Sequence, residues 1–225
     1  SFEYLPGDDL ANGRDRSFIS FRHEHYFDDR RARLDARIEN VSDAQYLEDF
    51  GRSLSVTSQR FLDRRVEMYW LRAQKFQLNA LVQSYQDVDD SIAAGVGPYR
   101  RLPQVVFVSR LPQYHMRLTP QIVAQTTYFD HSSRVSGGRI DLYPSLSMAY
   151  VKPYARIVPK IGVRHTEYFL DGSGAFDERE SRSVPVLSLD SQLFAERIIS
   201  VFGMPMLQTL EPRAYYVYTP YRDQS

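Results

Sequence analysis

The sequence has no cysteine among its 225 residues, which excludes disulfides, thiolate nucleophiles and cysteine-bound metals. Net charge is lacking too. The 28 basic residues are matched by 28 acidic ones, so there is no electrostatic case for binding nucleic acid. Long apolar runs are also missing: the longest clear one, Val105-Val106-Phe107-Val108, falls far short of the roughly 18 residues that a membrane-spanning helix requires. No basic region, apolar core or cleavage site of a signal peptide precedes the strand-like Phe2-Glu3-Tyr4-Leu5, and the chain reads as a piece excised from a longer protein. The mean hydropathy of −0.44 would ordinarily indicate a water-soluble protein, but a β-barrel with a polar lumen escapes hydropathy averaging.

What is abundant is tyrosine, 16 residues. This amphipathic side chain is favoured in strands and at boundaries between apolar and wet surroundings. The clearest pattern runs from Arg139 to Leu170. Ile140, Leu142, Pro144, Leu146 and Met148 alternate with Arg139, Asp141, Tyr143, Ser145 and Ser147, a period of two that predicts a strand. After Val151-Lys152-Pro153 the alternation returns, with Ala155, Ile157, Pro159, Ile161 and Val163 on one face and Tyr154, Arg156, Lys160 and Arg164 on the other. The pair predicts a hairpin with one apolar and one charged face. A soluble sandwich would bury the apolar face against a second sheet, whereas a membrane barrel would turn it to lipid. Arms of about ten residues match the length needed to cross a bilayer at a tilt.

Taken in order, the polar stretch Pro6–Arg16 separates a partial first strand from Ser17–Phe27, and Asp28-Asp29-Arg30 reverses the chain. The next arm alternates Ala32, Leu34, Ala36 and Ile38 with Arg33, Asp35, Arg37 and Glu39, a charged row that reads as a wet face. Further strands are expected at Leu62–Arg72, Lys75–Val88, Leu102–Arg110, Tyr114–Phe129, Val184–Glu196 and Leu207–Thr219, giving about eleven in all. Long connections at Ala44–Gln59, Asp89–Arg100, Asp130–Gly138 and Asp171–Glu180 alternate with tight ones, the habit of an up-and-down membrane barrel with long loops outside. Pro103, Pro120, Pro144, Pro159, Pro185 and Pro212 fall one to a strand, on the apolar face by parity, which suggests bulges or weakened ladders.

Catalytic and metal chemistry find little support. His23-Glu24-His25 puts two imidazoles on one strand face without an evident third ligand, and His115, His131 and His165 are isolated. No serine sits in a Gly-x-Ser-x-Gly elbow, and Gly95-Val96-Gly97 precedes Pro98 and no helix, so it is a loop and not a phosphate cradle. A Ser-His-Asp set assembled across strands, as in a barrel phospholipase, remains compatible with the spacing. The expectation is no catalytic residue, no metal, no cofactor and no enzyme.

The segment QTLEPRAYYVYTPYRDQS at residues 208–225 closely resembles the LptD family of lipopolysaccharide-assembly outer-membrane proteins, also called organic solvent tolerance proteins. Leu210-Glu211-Pro212-Arg213, Tyr218 and Pro220-Tyr221-Arg222-Asp223-Gln224-Ser225 carry the match. Weaker echoes lie in Tyr4-Leu5-Pro6, Tyr46-Leu47-Glu48-Asp49-Phe50, Leu102-Pro103-Gln104 and Phe194-Ala195-Glu196-Arg197. The resemblance implies a periplasmic domain followed by a barrel of about 26 strands, plugged by an LptE-type lipoprotein. It further implies that lipopolysaccharide arrives from periplasmic bridge proteins and leaves sideways through a seam between the first and last strands. Residues 1–225 would then be a partial barrel domain in the outer membrane of a Gram-negative bacterium, without the periplasmic domain, the seam strands or the family's disulfide cysteines.

The expected fold is therefore all-β: an antiparallel up-and-down segment of a transmembrane β-barrel, left as an open sheet with Phe2–Leu5 and Leu207–Thr219 at its edges. Arg33, Asp35, Arg37, Glu39, Arg139, Asp141, Arg156, Lys160, Arg164, Glu211 and Arg213 are the candidates to face the lumen. Ile140, Leu142, Leu146, Ile157 and Ile161 are the candidates to face lipid. Three functions compete: a wall of the lipopolysaccharide translocon, a diffusion porin or other transport barrel, and a soluble β-sandwich binding module. A porin would close with the strands present, while a translocon wall segment would leave two unpaired edges.

Overall fold

A computed structural model of the chain describes residues 1–9, 12–51, 60–89, 96–112, 117–171 and 179–221. The first half contributes β1 (Phe2–Asp8), β2 (Arg14–Phe27), β3 (Ala32–Val41), a short helix α1 (Tyr46–Phe50), β4 (Phe61–Arg72), β5 (Phe76–Asp87) and β6 (Arg100–Arg110). The second half adds β7 (Leu118–Asp130), β8 (Gly137–Met148), β9 (Tyr150–Lys152), β10 (Ala155–Leu170), β11 (Arg179–Leu193), β12 (Ala195–Val201), β13 (Met204–Leu210) and β14 (Arg213–Tyr218). Among the described residues twelve strands form one sheet in the order β1-β2-β3-β4-β5-β6-β7-β8-β10-β11-β14, with β9 paired to β10. A second, two-stranded sheet joins β12 and β13. The pairs β1–β2, β2–β3, β3–β4, β4–β5, β9–β10, β11–β14 and β12–β13 are antiparallel. The up-and-down antiparallel architecture expected from the alternation is what is found, and β1 and β14 end the strand order.

The tight reversals are set by the backbone. Ala73 and Gln74 both have positive φ, 52° and 55°, and Lys75 N–H bonds to Arg72 O at 3.0 Å. Two consecutive left-handed residues match the twist of a β-hairpin, so the β4–β5 ladder runs unbroken from Phe61↔Asp87 to Arg72↔Phe76. Phe202 and Gly203, with φ 51° and 79°, reverse the chain between β12 and β13 in the same way.

Several expected boundaries move. The stretch Pro6–Arg16 is not all turn: β1 continues to Asp8, through a bulge after Leu5, and β2 already begins at Arg14. The long connection after β3 holds α1. The strand expected at Leu207–Thr219 is interrupted at Glu211-Pro212, and the one at Val184–Glu196 breaks at Phe194. The two halves nevertheless keep one register, Gln192↔Arg213 and then Ala195↔Leu210. Pro212 lies in that interruption and not within a strand. Gly95, His115 and Arg222-Asp223-Gln224-Ser225 lie outside the described residues.

The residues group into two compact units. In the first (Ser1–Phe107, Gln125–Ile140 and Glu167–Glu180), the apolar core is small. Val41, Tyr46, Leu47, Leu62 and Val88 cluster where α1 returns onto the strands, with Phe18 packed beside them. In the second (Val108–Ala124, Asp141–Thr166 and Ser181–Ser225), Asp141, Ser145 and Thr166 are buried. There Gly162 lies under the Tyr143 ring. A Cβ at this position would meet Tyr143 Cε2 at 2.6 Å and Pro144 O at 2.9 Å, so only glycine permits this approach.

Candidate functional site

Strand parity sorts the side chains onto two faces. In β2 to β5 the register aligns Arg33, Asp35 and Arg37 with Tyr26, Glu24 and Arg22 on one side, and with Tyr69, Glu67 and Arg65 on the other. Ala32, Leu34, Ala36 and Ile38 align with Trp70, Met68, Val66 and Arg64 on the opposite face. The apolar face is the uncovered one. Phe21, Ile38, Val66, Met68 and Val82 are exposed in the first unit, and in the second Ile161 is 56% and Ile157 37% exposed. Ile140, Leu142 and Leu146 are exposed as well. Glu39 and Asp141 on the charged face are instead buried, at 7% and 4%. A water-soluble sheet has the reverse distribution, since apolar burial drives its folding.

The charged face is knitted by ion pairs. Asp141 accepts from Arg164 Nε at 2.8 Å and from the Thr166 hydroxyl at 2.8 Å. Asp190 accepts from Arg156 Nη1 at 2.9 Å and from Arg213 Nε at 2.8 Å, tying β10 and β14 to β11. Lys160 lies over the Tyr143 ring at 5.1 Å and Arg139 over Phe129 at 5.8 Å, placements suited to cation–π attraction. Arg33 is 3.9 Å from Glu24, and Glu39 takes bonds from both Arg22 and Arg37. Glu211 lies in the interruption before β14 and accepts from Gln192 at 3.5 Å. The expected lumen-facing residues thus lie on β3, β8, β10 and β14, with Glu211 just before β14.

The sequence reading missed the most buried charge among the described residues. Arg16, 2% exposed, bonds to Asp8 at 3.0 Å, Asp43 at 2.8 Å and Asp49 at 2.7 Å. Its guanidinium also faces the Tyr46 and Phe50 rings at 5.4 and 5.0 Å. It fastens α1 to the strands, helped by the Tyr46 hydroxyl donating to Glu3 at 3.0 Å. Burial pushes the Asp43 carboxyl up, but hydrogen bonds from Arg16 and Ser42 and the charge of Arg16 outweigh it and hold Asp43 below its ordinary value. Burial, reinforced by Glu3, raises Tyr46.

No hydrolytic set assembles among the described residues. The nearest approach is His165 Nδ1 with Ser183 Oγ, 2.8 Å apart, a pair without a group orienting the other ring nitrogen. His23 and His25 stack at 6.0 Å within the row Phe21–His23–His25–Phe27. Among the described residues no group of three acidic, histidine or cysteine side chains is placed to hold a metal ion. His131 is an anchor in its loop: its Nδ1 accepts the Ser133 and Arg134 N–H groups and its Nε2 meets Gly97 O at 2.9 Å.

A family model described as LPS transport system D matches residues 14–225. Among curated proteins the chain is similar to the LPS-assembly protein LptD of Nitrosospira multiformis, at 38% identity over 96% of this chain and 24% of that protein. It is similar to the protein of that name from Aromatoleum aromaticum, 39% identical over 99% of this chain and 28% of the relative. The LPS-assembly protein LptD of Alkalilimnicola ehrlichii is 37% identical over 99% of this chain and 29% of the relative. The chain therefore spans less than a third of the length of these relatives.

Proposed function

The chain belongs to the LPS transport system D family, and on that basis we propose that it forms part of the wall of an outer-membrane β-barrel that inserts lipopolysaccharide into the outer leaflet. Residues 1–225 act as one partial barrel domain, and the periplasmic domain and seam strands belong to the rest of the full-length protein. The coverage of less than a third of each relative supports this. The host is a Gram-negative bacterium. An LptE-type lipoprotein plugs the lumen, and periplasmic bridge proteins deliver the lipopolysaccharide. The work is non-covalent handling of an amphiphile, with no catalytic step.

The observation that carries this reading is the inverted exposure of the sheet: large apolar side chains such as Val66, Met68, Ile140 and Ile161 are exposed, while Glu39 and Asp141 are buried. Bilayer lipid is the solvent that favours such a face. Ile140, Leu142, Leu146, Ile157 and Ile161 would face acyl chains. Arg33, Asp35, Arg37, Glu39, Arg139, Asp141, Arg156, Lys160, Arg164, Glu211 and Arg213 would face a wet lumen, where sugars and phosphates find partners. The long connections lie on the cell exterior and the tight turns in the periplasm, as the alternation of lengths supports. The test places nitroxide labels at Leu146 and Ser147 of the full-length protein in lipid. Leu146 should be quenched by oxygen dissolved in the bilayer and Ser147 by an aqueous nickel chelate. Equal access of the chelate to both sites would overturn the assignment.

A further inference from the structure

Strand register places three arginines in one rung. Arg22 lies opposite Arg37, and Arg37 opposite Arg65, so β2, β3 and β4 each present a guanidinium on the same charged face. Like charges directly opposed destabilise a sheet, and the surroundings relieve them only in part. Glu39 Oε1 accepts from Arg22 Nη2 at 3.3 Å and from Arg37 Nε and Nη2 at 3.4 and 3.1 Å; one carboxylate oxygen serves two guanidiniums. Arg65 Nε is buried without a hydrogen bond, and the nearest carboxylate oxygen, Asp63 Oδ2, is 3.7 Å from it. The neighbouring rung, Glu24–Asp35–Glu67, is acidic, and two of its carboxylates have hydrogen-bond donors of their own. Glu24 accepts from the Tyr26 hydroxyl and Glu67 from Asn79 Nδ2, both one rung further toward the tight turns. A cavity of about 380 Å³ opens beside the three arginines, with Glu24 and Asp35 sharing its wall.

We propose that the Arg22–Arg37–Arg65 rung is a binding site for a phosphate group. Three guanidinium forks with most of their donors unused match phosphate oxygens, and a dianion between them removes the repulsion that Glu39 leaves unbalanced. Lipopolysaccharide phosphates and free phosphate share this chemistry. The lipid-borne source rests on the translocon reading proposed above.

The experiment uses the full-length protein in detergent, with heat-resistant migration on gels showing that each variant has formed its barrel. Binding is measured for rough lipopolysaccharide, for the same glycolipid stripped of phosphate, and for inorganic pyrophosphate. The variants are Arg65→Gln alone and Arg22→Gln/Arg37→Gln/Arg65→Gln together. The unaltered protein should bind the phosphorylated glycolipid about tenfold more tightly than the stripped one. That preference should fall by about half on the logarithmic scale in the single variant and vanish in the triple one. An equal preference in unaltered and triple-variant protein would overturn the site and leave the translocon reading standing. If neither glycolipid binds the unaltered protein, the translocon reading fails, and pyrophosphate decides for the rung alone: binding lost in the triple variant supports it, and unchanged or absent binding overturns it. Arg65→Lys keeps charge without the fork and should recover only part of the preference.

Discussion

Arg16 and Arg65 both project from the charged face of the first unit, but Arg16 meets three carboxylates within 3.0 Å, while Arg65 Nε has no hydrogen bond at all. The first guanidinium is buried at the long-loop end and ties three separate segments together through Asp8, Asp43 and Asp49. The second stands in a row of like charges beside an open cavity. Buried charge is tolerable when it is well paired, and with four of its five N–H donors taken by carboxylates Arg16 has little left for a ligand. An arginine row that leaves donors unmet costs stability, and sites that bind are where such costs are retained. The difference separates structural ionic networks from candidate recognition sites on a face that otherwise looks uniformly charged.

Breaking the saturated side should have the largest effect. Arg16→Ala leaves three carboxylates clustered around an empty position, a loss of roughly 3–5 kcal/mol by analogy with breaking a buried ion pair. It should also release α1, because the Tyr46 and Phe50 rings lose the guanidinium they face. Urea unfolding of the full-length protein in detergent, with limited proteolysis around Phe50, would register both losses. An unchanged urea midpoint would show that the cluster holds nothing together.

The contrast also marks what the sequence could disclose. The alternation in β8 and β10 was legible because period two is a local property, and Ile140, Leu142, Leu146, Ile157 and Ile161 are all exposed in those strands. The connection after β3 was legible as polar and long, but α1 was not, since its five residues are too few to show helical periodicity. Arg16 read as a turn residue because its partners come from three segments up to 33 positions away, and no local pattern encodes that convergence. The break at Phe194 and Glu211-Pro212 was hidden for another reason: register is preserved across it, so the apolar pattern continues as in one strand. The arginine rung needed the register itself, because Arg22, Arg37 and Arg65 are adjacent only after three strands pair.

Acid should loosen the saturated cluster by a smaller amount, since it removes one carboxylate's charge at a time. Asp43 is held below its ordinary 3.8 in the folded chain, so its contribution is complete above that value. It disappears as pH falls through the lower folded-state value, when the proton displaces the interaction with Arg16. Titrating from pH 5 downward, the segment around α1 should become protease-sensitive at a higher pH than the rest of the barrel unfolds. Asp43→Asn, which keeps an acceptor for Arg16 but no charge, should show the weakened protection already at neutral pH. If its acid profile matches that of the unaltered protein, Asp43 is not the titrating link.

The smallest effect, and the one of opposite sign, belongs to Arg65. Removing its charge by Arg65→Gln takes away an uncompensated neighbour of Arg37 and frees a buried nitrogen that has no acceptor. Asp63 contributes little in return at 3.7 Å, because a loose, partly exposed pair is worth almost nothing. Stability should therefore rise by a few tenths of a kcal/mol, the scale of a cross-strand like-charge contact. The same substitution that stabilises the sheet should weaken the preference for phosphate, the trade expected when a strained position is kept for binding. Urea unfolding and pyrophosphate binding on one preparation measure both. Destabilisation by more than about 1 kcal/mol, well beyond the usual range for surface substitutions, would place Arg65 with Arg16 among the structural residues.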